Sequence, residues 1–367
     1  MQRCRILFPF ILICLFAALA AEGQIASSPF SEFGIGDLNN GGVAQNQGMG
    51  GVGISNGNNW YLNNLNPALL TNNHVTVFQG GMQFEKRTLS GGGNTQNFQN
   101  ANLNYLAVAF PLKANRWTTS IGLTPYSTVN YNLSYTDYAS GSYQLVTYQQ
   151  TGKGGINQFY WSNGVVLNKY FSFGVKASYM FGSITTQNPT YNPAAYANGS
   201  RYIRDSFSGL NLTGGISFHL DSLFKKNYKF NAGFIYSLKS SIGAYHVSRL
   251  DFVLPSGRTL DSLTYTKLGG KLTLPASFGF GVSFGKTDRW TVASDFVLLD
   301  FSNFNYSTFD GNQQYLGTPT IGYRAGVGGE FVPKAEDFTN YFNRVTYRVG
   351  ASVEKSTMLI NGNPLID

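Results

Sequence analysis

Cysteine is almost absent from this 367-residue chain, and the two that occur, Cys4 and Cys14, both fall at its very start. There Arg3 and Arg5 precede an apolar run from Ile6 to Ala18, with small residues at Ala20, Ala21 and Gly23. That is the pattern of a secretory signal peptide, residues 1–23, cut after Gly23. Cys14 sits in the middle of the apolar run rather than behind small residues at its end, which argues against a lipid-anchored cysteine. The exported chain therefore has no thiol for disulfides, thiolate catalysis or soft-metal ligation. Histidine is as scarce: His74, His219 and His246 stand alone, without a partner at metal-ligand or triad spacing. Charge is scarce too, at 12% of residues, against about 25% in soluble domains. Without the leader, 26 basic and 18 acidic residues become 24 and 17, a net of +7. The cations are scattered singly among aromatics and glycines, with no run that would suit nucleic acid, so no nucleic-acid partner is expected. No Gly-Lys-Ser/Thr phosphate cradle and no acid/base carboxylate pair is recognisable. Asp295 with Asp300, and Glu330 with Glu354, read as lumen or rim charges. No enzyme activity, metal or cofactor is expected. Beyond the leader no apolar stretch approaches the roughly 20 residues of a spanning helix, so only a closed barrel of strands would take this chain across a membrane.

What is abundant supports that class: 43 Gly, 29 Phe and 23 Tyr, arranged with period two. Phe171, Phe173, Val175, Ala177, Tyr179 and Phe181 alternate with Ser172, Gly174, Lys176, Ser178 and Met180. Successive strand residues point to opposite faces, so one face is apolar throughout. The same alternation runs through Leu272 to Phe284, Ile321 to Phe331 and Val345 to Glu354. A half-buried soluble sandwich alternates as well. The leader and the connections decide for a transmembrane antiparallel β-barrel, because short turns (113–116, 168–169, 221–227, 286–289) alternate with long polar segments (88–100, 185–205, 242–268). The periodicity predicts eleven strands, centred near Phe78, Ala107, Gly122, Tyr160, Ala177, Gly214, Phe234, Phe280, Phe296, Gly326 and Gly350. Eleven is odd, single-chain bacterial barrels are even, and the final residues carry no aromatic strand end. About three further strands beyond Asp367 are therefore expected, with residues 74–367 forming a C-terminally incomplete barrel.

The stretch 24–73 has another texture. It is rich in Gly and Asn, has no sustained period, and carries Trp60, Tyr61, Leu62, Leu65, Leu69 and Leu70, which are too apolar for a disordered tail. It reads as an N-terminal hatch folded into the barrel, with Gly48, Gly50, Gly51, Asn66, Pro67 and Ala68 as its marked residues. Alternation places Lys176, His219, Arg324, Glu330, Arg348 and Glu354 opposite the aromatic band, as lumen residues that need partners or water. Pro125, in Gly122-Leu123-Thr124-Pro125-Tyr126, lies where a fully paired strand tolerates no proline. Either the wall breaks locally there or Pro125 lies at the rim beyond the ladder.

These motifs resemble the FadL-like long-chain fatty-acid transport barrels of Gram-negative outer membranes. Gly48-Met49-Gly50-Gly51 followed by Asn66-Pro67-Ala68-Leu69 is similar to that family's hatch. Leu274-Pro275-Ala276-Ser277-Phe278-Gly279 is similar to its Leu-Pro strand opening, and Asp295 to Ser302 to its Asp-to-aromatic-Ser strand. The resemblance spans Phe30 to Asp367. It implies fourteen strands, a hatch, and passive uptake of hydrophobic small molecules such as long-chain fatty acids, with Gly122, Pro125 and Tyr126 forming a lateral gate at the third strand. Implied partners are outer-membrane lipid, the hydrophobic ligand and the barrel assembly machinery. Relatives within the family also serve type IX secretion, so a subunit or docking role without transport is the alternative.

Overall fold

In a computed structural model, residues 28–39, 42–91, 94–139, 143–223, 227–307, 317–360 and 362–366 are described. The leader and its cleavage site lie outside them. A short N-terminal strand, β1 (Asp37–Leu38), precedes a wall built from β2 (Val77–Gly91), β3 (Asn94–Lys113), β4 (Trp117–Tyr138), β5 (Leu145–Val166), β6 (Phe171–Tyr191) and β7 (Asn198–Leu223). The wall continues through β8 (Tyr228–Ser237), β9 (Ser240–Val253), β10 (Thr259–Leu274), β11 (Ser277–Lys286), β12 (Trp290–Asp300) and β13 (Asn305–Ser307). Its last members are β14 (Thr318–Pro319), β15 (Ile321–Phe331), β16 (Tyr347–Ile360) and β17 (Asn363–Ile366). Every ladder is antiparallel. β7 pairs with β8 along its second half and β9 along its first, so β8 and β9 are one wall strand with a break. The same holds for β10 with β11, which face β9 and β8 in turn.

Why these residues form a barrel wall is clearest in β6. Phe171, Phe173, Val175 and Tyr179 point outward at 40–46% exposure, while Ser172, Ser178 and Met180 face inward at 2% or less. An outward aromatic band with small polar residues inside is what lipid on one face selects. All eleven strand centres expected from the periodicity fall inside wall strands. Near the chain's end β17 adds a short partner to β16.

The outer connections differ from expectation. The segments 88–100, 185–205 and 242–268 are not long loops. They are mostly ladder, so that β6 has 21 residues and β7 has 26, where a bilayer needs only about 9–11. Past the bilayer neither face needs to be apolar, so alternation fades while hydrogen bonding continues. One face assignment also changes. Leu272 and Leu274 are buried in the interior, whereas Phe278 and Phe280 of the same alternating series point outward. Pro275 and Ala276 lie between β10 and β11 outside any strand, and the inward parity reverses across them. β8 and β9 reverse beside them, with Phe234 and Tyr236 outward but Ile242 and Ala244 inward.

These breaks form a line across the wall. It passes through an extra residue at Tyr126 in β4, left-handed glycines Gly154, Gly155 and Gly182 in β5 and β6, the gaps after Ser237 and Leu274, and the helical turn Phe301–Asn303 that separates β12 from β13. The wall is thus built in two tiers, with the interior filled differently in each.

Candidate functional site

Residues 28–73 occupy the interior. Their second half folds around Asn66, which starts the 3₁₀ turn Pro67–Asn72: its side-chain oxygen accepts from the Ala68 N–H at 3.0 Å, and its amide donates to Ile54 O at 2.8 Å and to Ile216 O of β7 at 3.1 Å. Proline suits the first position of that turn because the missing donor is not needed there. Gly48, Gly50 and Gly51 close the turn after the short helix Ala44–Gln47. Gly50 and Gly51 have φ of +67° and +73°, a conformation that favours glycine. Their backbones lie against β16 and β15: a side chain on Gly50 would run into Ala351, and one on Gly51 into the Arg324 guanidinium. The wall answers with glycines of its own, since Gly174, Gly215, Gly233, Gly328 and Gly350 each leave room only for hatch atoms.

Charged groups of the wall hold the hatch backbone. Asp295 on β12 accepts from the N–H groups of Gly53 at 2.6 Å and Ile54 at 2.8 Å. Lys176 on β6 donates to Asn64 O at 3.1 Å, and Arg324 on β15 to Gly50 O at 2.9 Å. Glu330 and Arg348 form an ion pair at 3.3 Å, with Arg348 also 5.5 Å from the centre of the Tyr61 ring. Glu354 stands opposite Arg324 in the β15–β16 ladder. Of the expected lumen charges, Lys176 and Arg324 are therefore anchors for the plug, while Glu330 and Arg348 pair with each other beside it. Asp295, expected as a lumen or rim charge, lies on the lumen side and is bound to the hatch. Its inward parity in β12 is the signal that marks it. His219 stands on the inward parity of β7, half-buried. Among the described residues no cluster of His, Cys, Asp or Glu suits a metal.

The third wall strand is where the wall opens. The β3–β4 ladder runs from Lys113–Trp117 only as far as Leu106–Leu123. Beyond it β3 remains paired with β2, while β4 continues to Tyr138 along β5. Proline at 125 has no ladder donor to give, and Tyr126 is an extra residue that reverses the inward face of β4, so that Val129 and Tyr131 are buried beyond it. The vacated edge of β4 is covered by the N-terminal segment. β1 pairs with it (Asp37 with Thr128, Leu38 with Ser127). Ser28 N–H donates to Asn130 O at 2.8 Å, and Asn39 N–H to Tyr126 O at 2.9 Å. Asn39 also reaches across to Asn104 of β3, amide to carbonyl, at 2.9 Å. Pro125 and Tyr126 thus lie at the opening. Gly122 lies just below it, still paired with Ala107 and covered by the Tyr160 ring.

Between hatch and opening is a cavity of about 150 Å³, whose lining includes Pro125, Tyr126, Lys176, Asp295, Arg324 and Phe301. Its polar floor is the anchoring set, and above it an apolar cluster of Ile35, Ile156, Phe207, Leu272, Phe301 and Met358, with others, fills the upper tier.

The fold is similar to that of solved hydrocarbon transporters. The crystal structure of the toluene transporter TodX of Pseudomonas putida superposes with a TM-score of 0.59 at 14% identity, covering 89% of this chain and 86% of that one. A second structure of TodX gives 0.51 at 15% identity over 88% and 86%, and a TodX variant described as a monoaromatic hydrocarbon channel gives 0.52 at 15% over 83% and 81%. At such identities the likeness establishes the fold. No curated protein sequence matches. The sequence profile of the BamG family matches residues 3–367, practically the whole chain, and the protein belongs to that family.

Proposed function

We propose that this protein is exported to the Gram-negative outer membrane and passes small hydrophobic molecules from its lumen sideways into the bilayer. The observation that carries this reading is the upper edge of β4, which β3 leaves and which β1 and its neighbours cover instead. Two ladder pairs and the hydrogen bonds of Ser28, Ser31 and Asn39 are a lighter seal than the 21 pairs that hold β4 to β5, so the N-terminal segment serves as the gate. The cavity behind it, about 150 Å³, is of the size that takes a benzene-class ring. Ring-sized hydrocarbons, the cargo named for TodX, therefore suit it better than an entire long-chain fatty acid. Outer-membrane lipid receives the ligand, and the barrel assembly machinery inserts the protein.

The test is a lock. Leu38 and Ser127 are ladder partners, and antiparallel partners stand within the range a disulfide spans. Leu38→Cys with Ser127→Cys, oxidised, is expected to abolish uptake of labelled toluene by cells, and reductant to restore it. Undiminished uptake through the oxidised lock rejects the gate.

A second reading is favoured by the filled upper tier and by the three wall charges bonded to the hatch backbone. A barrel so plugged serves as a subunit or docking protein, in a type IX-like secretion system or in the barrel assembly machinery itself. Absence of uptake by the unmodified protein, together with co-purification of such a machine, selects it.

A further inference from the structure

The short-turn end of the barrel carries a recess distinct from the gate. It is a concavity of about 660 Å³ between the hatch, the β8 start, the β11–β12 turn and the segment after β15. Five cations line it: Lys229, Lys286, Arg289, Lys334 and Arg344. Among the described residues only Lys334 of these is in an ion pair, with Asp337 at 3.7 Å. Three acids share the lining, Asp288, Glu330 and Glu336, and Glu330 is already engaged by Arg348. The recess is thus net positive. The hatch contributes Trp60, 82% exposed, to the lining. An indole in open solvent in a cationic hollow is costly for a monomer and is the residue type that dominates binding energy at protein interfaces.

We propose that this recess is a docking site for an acidic, aromatic-bearing segment of another polypeptide on the periplasmic side. Charge selects the sign of the partner. Position selects a polypeptide over a lipid surface, because Asn58 and Trp60 belong to the hatch, inside the ring of strands, where no bilayer leaflet reaches. A chain with carboxylates spaced along an extended backbone meets Lys229, Lys286, Arg289 and Arg344, with Trp60 as the apolar anchor. This site goes beyond the channel reading and does not depend on it.

The test uses the full protein in detergent and a fluorescein-labelled peptide of alternating Glu and Phe, read by anisotropy, with a Lys-Phe peptide and phosphatidylglycerol vesicles in parallel. The acidic peptide is expected to bind and to lose about tenfold or more in affinity in Lys229→Glu/Lys286→Glu/Arg289→Glu, with steep weakening by salt. Trp60→Ala, a milder change that keeps every charge, is expected to lose about tenfold. Heat-modifiable migration confirms that each variant is folded. Equal binding of the acidic peptide by the charge-reversed protein, equal binding of the Lys-Phe peptide, or binding of vesicles alone would each overturn the proposal.

Discussion

A methyl group placed on the wall should dislodge the hatch, and the distances say by how much. A Cβ on Gly174 of β6 would meet the Pro67 carbonyl oxygen at 2.6 Å, and one on Gly328 of β15 would meet the Met49 Cβ at 2.7 Å. Ordinary contact begins at 3.4 Å, so Gly174→Ala must push the turn at Pro67 inward by at least about 0.8 Å, the difference between 3.4 and 2.6 Å, since the Pro67 carbonyl carbon and the Ala68 nitrogen lie closer still. Overpacking of this kind costs about 1–3 kcal/mol. In either single variant the hatch has room to yield away from the new methyl. In Gly174→Ala/Gly328→Ala it is pressed by two separate strands at once, so the penalties should add or exceed their sum. Amide hydrogen exchange of residues 42–73 in detergent reads this directly. Each single variant should accelerate exchange of the most protected hatch amides about 5- to 100-fold, and the pair more than the product, since about 1.4 kcal/mol is tenfold. Gly214→Ala is the control, because a Cβ there meets nothing within 4 Å. Wild-type protection in a correctly folded double variant would refute the idea that close backbone approach, made possible by wall glycines, holds the plug.

Asp295→Ala leaves the N–H groups of Gly53 and Ile54 without an acceptor at about 1–3 kcal/mol each, and should free the Gly48–Ile54 half of the hatch, seen as proteolysis within it, while Asp295→Asn does so less. Asn66→Ala loses the bonds to Ala68, Ile54 and Ile216 together and should raise leakage of small solutes in liposome swelling. Gly122→Trp collides with the Tyr160 ring, whose Cζ a Cβ would meet at 2.6 Å, so it should reduce the yield of heat-modifiable barrel instead of closing the opening; normal yield would count against this packing. In the loop after β15, Asp337 accepts hydrogen bonds from Thr339, Asn340 and Asn343, which hold its carboxyl well below the usual carboxylate range. A depressed folded value stabilises the loop above the unfolded carboxylate range, about pH 4, and the contribution is lost only as pH falls through the lower folded value. Exchange in 337–343 should therefore be insensitive to protonation between about pH 5 and 8, and faster in Asp337→Asn throughout that range.

The lipid-facing half of the fold is readable from the amino acids because the bilayer imposes one rule on it: apolar outward on every second residue. β6 obeys it from Phe171 to Phe181. Legibility ends where that rule ends. Thr185 to Asp205 carries no apolar face, so its ladder is invisible to hydropathy although its hydrogen bonds continue. Leu272 and Phe280 look equivalent in one series, and only the break at Pro275 and Ala276 puts them on opposite sides. In the hatch, texture and the Asn66-Pro67-Ala68 motif identify the segment, but its anchors come from strands far along the chain. Nothing local to Asp295 announces that it caps Gly53 and Ile54. Pro125 marks the weak place in the wall, whereas the substitute strand Asp37–Leu38 is too short to show any period.

The distances along the chain between hatch and anchor have a kinetic consequence. Pro67 and its turn rest on β5, β6 and β7, which follow within the next stretch of sequence, but Asp295 is 242 residues beyond Gly53, and Arg324 is 274 beyond Gly50. Closing loops of that length is slow. The Pro67 half of the plug should therefore become ordered while the wall is still an open sheet, and the Gly50 half only after β15 and β16 have formed. Pulse labelling during refolding should record two waves of protection within one short segment, separated by the time the second half of the wall takes to assemble.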